Sequence, residues 1–190
     1  MIIGINAINI KSYGGEAHLI NLLNTITIND FTKKYSIKKI YVWTTKSISR
    51  KILHNKSIKT FIVENNSFNN FIWNFFYFRN ISKTYKCDIL FLPSGLNYFY
   101  KQKTVVLFQN LIPFDNNELI KYGFSFKLFR LYFLSIIYRV SMKNSDGVIY
   151  LNKYSKKLIE NKFNILSKKS AIIPHGISKN YYNSFKLKKD

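Results

Sequence analysis

The stretch SYGGEAHLINLL, residues 12–23, contains the residues whose spacing first suggests chemistry. Gly14 and Gly15 stand between an apolar, strand-like run and a helix-like run, where backbone amides can approach a ligand closely. A dinucleotide-binding loop needs three glycines as G-x-G-x-x-G, and a P-loop needs Gly-Lys followed by Ser or Thr; neither pattern is present. Two interpretations remain open. The pair presents a helix N-terminus to a ligand, or it forms a plain strand-to-helix turn with a left-handed glycine.

Few other residues have a pattern typical of catalysis or metal binding. Cys87 is the only cysteine, which excludes an internal disulfide and a cysteine-based metal cluster. The histidines lack ligand spacing, so we predict no protein-bound metal. His18 and His54 are interpreted as structural residues, and His175 as a turn residue. Ser94 lacks the flanking glycine pattern of a nucleophile elbow.

These residues are positioned by predicted strands and helices that alternate along the chain. Seven short apolar runs are predicted to be strands, at 2–7, 39–45, 58–64, 87–93, 103–110, 146–152 and 170–174. Helical segments are predicted between them, at 16–26, 46–53, 68–85, 124–143 and 154–164. This alternation predicts an α/β fold: a Rossmann-like parallel sheet of about seven strands with helices on both faces. Such sheets bind ligands beyond the carboxyl ends of their strands, so we expect function in the segments that follow the strands.

The charge balance narrows the class of partner. The 190 residues include 30 Lys and Arg against 9 Asp and Glu, a formal net charge of +21. This excess favours an anionic partner, namely nucleic acid, an anionic lipid surface or a phosphorylated substrate. The basic residues are spread along the chain without a zinc-finger, RNA-binding or zipper pattern, so we expect no nucleic acid partner. The single cysteine and the absence of a signal-peptide pattern predict a cytoplasmic setting.

Two predicted helices carry more aromatic residues than one buried face requires. They contain the runs FIWNFFYFRN, residues 71–80, and FKLFRLYFLSIIYRV, residues 126–140. One interpretation is that the aromatic and basic side chains enter an anionic membrane interface. The other is that both helices are buried between the sheet and its neighbours. Lys127 and Arg130 interrupt the second run, so we expect a peripheral location on the inner face of the cytoplasmic membrane rather than a span.

Five segments occur in an order and at separations typical of one protein family. They are YGGEAHLINLL, CDILFLPSG, VVLFQNLIPFD, SDGVIYLNKYSKKLI and AIIPHGIS, and the last two form the most specific pair. Together they resemble the amino-terminal, acceptor-side domain of the family-4-type GT-B glycosyltransferases, from residue 1 to about residue 183. The resemblance implies two Rossmann-like domains that face each other across a cleft, with the sugar nucleotide bound by the carboxyl-terminal one.

The resemblance also implies a set of site residues at the strand ends. Gly14 and Gly15 match the loop that approaches the donor diphosphate and the acceptor. Gln109 and Asn110 stand where many members have a His-Asp pair, and they are the candidates for a role near the reacting sugar. Because an amide is no general base at neutral pH, we interpret them as hydrogen-bonding partners of sugar hydroxyls, with capping of a strand end as the alternative. Further candidates are the binding residues Ser94 and Asn152 and the hinge residues Pro174, His175 and Gly176.

The resemblance predicts the following organisation and function. Residues 1–176 form a Rossmann-like glycosyltransferase domain, residues 177–190 begin an interdomain linker with a basic tail, and the donor-binding domain is absent from the chain. The protein transfers a sugar from a nucleotide-sugar co-substrate to a glycan or lipid-linked acceptor of the cell envelope, without another cofactor. It is inactive until a separately encoded donor-binding domain joins it. The alternatives are a non-catalytic module that binds anionic lipid or a phosphorylated sugar, and a truncated remnant.

Overall fold

A computed structural model of the protein describes residues 1–10, 13–28, 31–63, 72–164 and 169–176. The strands are β1 Ile2–Asn6, β2 Lys39–Thr44, β3 Ile58–Ile62, β4 Ile89–Leu92, β5 Lys103–Phe108, β6 Gly147–Tyr150 and β7 Ser170–Ile172. The helices are α1 Tyr13–Ile28, α2 Phe31–Lys34, α3 Lys46–Ser49, α4 Arg79–Thr84, α5 Asn116–Ile120, α6 Phe126–Lys143 and α7 Lys153–Phe163. A π-helical segment, Trp73–Phe78, leads into α4, and a 3-10 turn, Ile112–Phe114, precedes α5.

The seven strands form one parallel sheet in the order β3-β2-β1-β4-β5-β6-β7. The chain moves outward from β1 to β3 and then crosses back to β4, so the sheet is open and has β3 and β7 as its edges. Because all strands run in the same direction, all their carboxyl ends lie at one edge. The direction of winding changes between β1 and β4, which is where sheets of this kind bind ligands. The predicted Rossmann-like sheet is confirmed.

Apolar side chains on the two faces of the sheet build two cores. On one face, Ile5 and Val42 pack with residues of α1 and α3. The other face carries a larger and mainly aromatic core, to which the π-helical segment, α6 and α7 contribute Phe78, Tyr138 and Phe163. Successive strand residues alternate between these cores, as the pleat of a sheet requires. Helices on both faces are therefore confirmed.

Element ends differ from the prediction in several places. Strands stop earlier: β5 ends at Phe108, and Gln109 and Asn110 already belong to the following loop. Of the helix predicted over 68–85, residues 68–71 lie outside the described residues, and Trp73–Phe78 is π-helical rather than α-helical. The short elements α2 and α5 carry too few residues for a periodic signal, and the sequence did not indicate them.

A buried asparagine joins the loop between β4 and β5 to the end of α6. Asn97 is only 3% exposed. Its Nδ2 lies 3.0–3.1 Å from Thr104 Oγ1, the Asn144 carbonyl oxygen and Ser145 Oγ, so two amide hydrogens are shared among three acceptors. Its backbone N–H donates to Ser141 Oγ at 2.9 Å. Buried polar groups of this kind hold a single arrangement, because any other leaves them without partners.

The turn after β4 requires a glycine. Gly95 has φ of +75°, and its N–H donates to the Leu92 carbonyl oxygen at 3.0 Å. A Cβ at this position would lie 3.0 Å from the Phe108 ring and 3.1 Å from the Tyr138 ring. Both the backbone conformation and the aromatic neighbours therefore exclude a side chain here.

We expect Gly95→Ala to lower the free energy of unfolding by about 1–3 kcal/mol, because it adds a strained φ and displaces packed rings. Urea denaturation followed by circular dichroism measures the change. Gly14→Ala is the matched control, since no atom lies within 4 Å of the added Cβ and Gly14 is helical. Its expected effect is neutral or stabilising by up to about 1 kcal/mol. Equal effects of the two substitutions would contradict this account of the turn.

Candidate functional site

A cleft of about 990 Å³ lies at the carboxyl ends of the strands. Its size is that of a small-molecule site. Segments that follow β1, β4, β5, β6 and β7, together with α1 and α6, supply the lining residues: Asn9, Ile10, Gly14, Gly15, Pro93, Ser94, Leu96, Gln109, Asn110, Arg130, Phe133, Leu134, Ile137, Tyr138, Leu151 and His175. A second hollow of about 590 Å³ lies among α5, α7 and the 3-10 turn and contains none of the predicted site residues.

The glycine pair lies in the first turn of α1 and faces this cleft. Gly14 is exposed and Gly15 is buried. Both are helical, so the alternative of a left-handed turn glycine is wrong. The first-turn amides of a helix have no partner within the helix and form the positive end of its dipole. No atom of the described residues lies within 4 Å of a Cβ placed on Gly14, so a side chain at this position would extend into open space.

The acidic residue next to the glycine pair, Glu16, binds side chains that are not part of the cleft lining. Glu16 accepts hydrogen bonds from Lys51 Nζ at 2.8 Å and Ser47 Oγ at 3.2 Å. The bond from Lys51 is the main cause that lowers the pKa of the Glu16 carboxyl, against the smaller opposing effect of desolvation. Its charge is thus balanced by Lys51, which follows α3. None of the described residues that line the cleft has an acidic side chain.

The two amides after β5 lie side by side in the cleft. Asn110 is exposed, and its Oδ1 accepts a hydrogen bond from the Ile112 N–H at 3.2 Å. Gln109 is half-buried, and its Nε2 is inaccessible and has no hydrogen-bond partner among the described residues. A buried donor without a partner is costly, and a ligand oxygen would satisfy it. Asn110 thus performs the local capping that was one alternative, whereas the Gln109 donor has no partner and would reach a ligand in the cleft only after its side chain rotates.

The other predicted site residues divide between the cleft and the helix ends. Ser94 lines the cleft and is half-buried. Asn152 is not part of the lining; it is the N-cap of α7, and its side chain accepts from the Ser155 N–H at 2.7 Å in a capping box. Pro174 and Gly176 are exposed in the segment that follows β7. Their expected role as a hinge stays a prediction.

Two histidines that are 157 positions apart meet at the cleft. The Nδ1 atoms of His18 and His175 are 2.7 Å apart, and the ring centroids are 4.0 Å apart in an edge-on arrangement. A bond of this length requires one Nδ1 to donate and the other to accept. Burial lowers the pKa of His18, with a smaller contribution from His175, and burial lowers the pKa of His175. The sequence interpretation of both as isolated structural or turn residues missed this contact.

Tyr138 is the other titratable side chain of the cleft floor. Burial, with a smaller effect of Tyr98, raises its pKa to about 12, so it remains a neutral hydrogen-bonding group. Arg130 is permanently cationic. Among the described lining residues, the imidazole of His175 is therefore the side chain that can accept a proton near neutral pH. The described residues contain no group of three or more His, Cys, Asp and Glu side chains that could hold a metal ion.

The aromatic residues of α6 are largely exposed. Its core-facing side consists of Leu131, Ser135, Tyr138, Ser141 and Met142. The large exposed side chains are Phe126 at 86%, Phe129 at 64%, Tyr132 at 62%, Phe133 at 65% and Ile136 at 49%. The alternative that this helix is buried between the sheet and its neighbours is therefore wrong. No helix in the described ranges combines the length and the hydropathy of a membrane span.

Comparisons with known proteins found similarity among solved structures only. No protein-family model and no curated protein matches the chain. A glycosyltransferase from Rickettsia africae ESF-5 is similar over 99% of this chain and 46% of its own, with a TM-score of 0.57 and 16% identity. UGT73P12 from Glycyrrhiza uralensis, solved with glycyrrhetinic acid 3-O-monoglucuronide, is similar over 90% of this chain and 48% of its own, with a TM-score of 0.52 and 11% identity.

This likeness shows the fold alone, because both identities are low. The chain has a glycosyltransferase-like, Rossmann-type α/β fold and spans about half the length of each of these two proteins.

We expect the histidine pair to make the protein less stable in mild acid. Since the folded-state pKa values of His18 and His175 are below the ordinary 6.5, the unfolded chain binds more protons in that interval. The free energy of unfolding should therefore fall as the pH drops through about 6.5. His175→Gln should raise the pKa of His18, because it removes the neighbouring charge, and NMR titration of the ring protons measures this. The control His54→Gln should leave it unchanged; an unchanged pKa in His175→Gln would contradict the pairing.

Proposed function

We propose that this chain is the acceptor-side domain of a glycosyltransferase, which holds an acceptor for transfer of a sugar from a nucleotide-sugar donor. The observation that best supports the proposal is the composition of the cleft. The first turn of α1, at Gly14 and Gly15, lines it together with the neutral hydrogen-bonding side chains of Ser94 and Gln109 at the carboxyl edge of the sheet. The fold is also that of about half of each of two glycosyltransferases.

Each group has a role that suits its chemistry. The positive end of α1 can stabilise the phosphates of a leaving nucleoside diphosphate, because anions are favoured at a helix N-terminus. The Gln109 amide can donate to a sugar oxygen, and the Ser94 hydroxyl can donate or accept. His175 can accept the proton of the attacking hydroxyl, because desolvation lowers its pKa and favours the neutral imidazole. None of these roles requires a bound metal or an organic cofactor.

The proposal includes a second domain that binds the donor. The chain spans 46% and 48% of the two similar glycosyltransferases, and the described residues that line its cleft include no acidic side chain to hold the donor ribose. We propose that a donor-binding domain covers the cleft and that the segment after β7 connects to it or lies against it. Transfer then requires both parts.

We expect the 190-residue chain to transfer no sugar by itself and to become active with the donor-binding domain encoded in the same or a neighbouring reading frame. Radiolabelled nucleotide sugars and extracted envelope acceptors provide the assay. In the active mixture, Gln109→Ala should lower kcat/KM about tenfold, because a hydrogen bond to the sugar is lost.

The matched control is Asn161→Ala, an exposed amide in the second hollow, which should retain full activity. Robust transfer by the chain alone would contradict the half-enzyme proposal. Absence of transfer with every donor-binding domain and acceptor would contradict the glycosyltransferase proposal and favour a non-catalytic binding module.

A second proposal concerns location: α6 lies on an anionic membrane surface. Its exposed aromatic face consists of Phe126, Phe129, Tyr132, Phe133 and Ile136. The helix has four basic residues and no acidic one among its 18 residues. Aromatic side chains with flanking Lys and Arg are typical of helices that lie in the interface of an anionic bilayer. The net charge of +21 adds long-range attraction.

We expect the protein to sediment with vesicles of equal parts phosphatidylglycerol and phosphatidylcholine, and not with phosphatidylcholine alone. Binding should decrease steeply with added salt, because surface attraction is screened. The double variant Phe126→Ser/Phe129→Ser should bind at least about tenfold more weakly, since two rings no longer enter the interface. Leu53→Ser, which changes an exposed apolar residue elsewhere, serves as the control. Equal losses in both variants, or binding that is independent of lipid charge, would contradict the proposal.

A further inference from the structure

Helix α6 also has a cleft-facing side, which lies between its core-facing side and its exposed aromatic face and shares Tyr138 with the first and Phe133 with the second. Arg130, Phe133, Leu134, Ile137 and Tyr138 line the cleft. One helix therefore forms both a wall of the candidate site and the surface that we propose to lie on lipid. Whatever binds in the cleft contacts this wall, so its chemistry restricts the class of acceptor.

The wall is apolar except for one cation. Among the described lining residues, Arg130 is the only Lys or Arg, and no Asp or Glu is present to neutralise it. Three apolar residues share the helix face of Arg130, because they follow it by three, four and seven positions: Phe133, Leu134 and Ile137. Across the cleft are the neutral hydrogen-bonding groups of Ser94, Gln109 and Asn110. A ligand that satisfies all three regions has an anionic group, an apolar part and hydroxyls.

The cleft is open towards the exposed aromatic face. Phe133 belongs to both, because it lines the cleft and is 65% exposed. Phe129, one turn earlier, is 64% exposed and belongs only to the outer face. An alkyl chain that starts beside Arg130 can therefore pass over Phe133 and leave the cleft on the lipid side without crossing water.

We infer that the cleft binds an anionic amphiphile, a lipid whose phosphate or other anionic group pairs with Arg130 and whose alkyl chain passes over Phe133. The inference rests on the proposed function and names the acceptor class of the same site. The guanidinium can bind a phosphate through two parallel N–H donors. The acceptor enters from the bilayer side, and its sugar or hydroxyl part faces Gln109 and the α1 amides.

Isothermal titration of the full chain with dodecyl phosphate, kept below its critical micelle concentration, tests the inference. We expect saturable binding of one equivalent. Arg130→Gln should weaken it by about tenfold or more, because a charge-assisted hydrogen bond is lost. Phe133→Ser should also weaken it about tenfold, since apolar contact with the chain is lost.

Matched controls lie on the same helix. Arg139 is exposed and is nine residues, or about two and a half turns, from Arg130, so it faces away from the cleft. Arg139→Gln and Phe129→Ser should leave the affinity for monomeric dodecyl phosphate unchanged while they reduce binding to anionic vesicles. Equal weakening by Arg130→Gln and Arg139→Gln would overturn the inference, because it would indicate nonspecific attraction.

Two further ligands test separately whether the anionic group and the alkyl chain are each needed for binding. Inorganic phosphate should bind at least tenfold more weakly than dodecyl phosphate by loss of the apolar contact, and equal affinity would indicate a free-phosphate site instead. Dodecyl maltoside should bind weakly and without response to Arg130→Gln; tight binding would indicate a neutral glycolipid site.

Failure here is distinguishable from failure of the proposed function. If dodecyl phosphate does not bind but the complemented enzyme glycosylates a water-soluble acceptor, only the acceptor class is wrong. If dodecyl phosphate binds as expected and no sugar is transferred, the inference about the ligand of the cleft is supported and the glycosyltransferase proposal is wrong.

Discussion

The hydrogen bonds of Asn97 set the geometry on which the site depends. This single buried amide connects the loop after β4, which carries Ser94 and Leu96, to Ser141, Asn144 and Ser145 at the end of α6. The floor of the cleft and its apolar wall are thereby fixed to each other. A rotation of α6 would remove the Ser141, Asn144 and Ser145 partners of Asn97 and leave its buried amide only Thr104 of β5, which is costly.

Most of the fold was predictable because the strands are apolar and parallel sheets are covered by helices. The seven strands and the carboxyl edge as the place of the site followed from that pattern, and the structure confirms the fold. The strand order was not predictable, since nothing local to β4 indicates that it pairs with β1 across about 85 positions. The π-helical segment was also missed, because an aromatic run such as Trp73–Phe78 has no periodicity that separates it from an α-helix.

The site was predictable to the extent that its residues directly follow strands. Ser94 and Gln109 lie in the loops directly after β4 and β5, and Gly14 lies in the first turn of the helix that follows β1. Arg130 and Tyr138 were missed as site residues because their helix reaches the cleft only through its packing angle. The contact between His18 and His175 depends on two elements that are far apart in the chain, and only His175 follows a strand end, since His18 lies within α1.

The open edges of the sheet have a consequence for handling the protein. Within the part of the chain that the structure describes, β3 and β7 each pair with one neighbouring strand, and all three residues of β7 are exposed. Unpaired strand edges can join between molecules and start aggregation. The net charge of +21 opposes such encounters by mutual repulsion. The positive charge that attracts anions is therefore also what keeps the molecules apart in solution. While the sheet edges are uncovered, polyanions or high salt weaken this repulsion and favour aggregation.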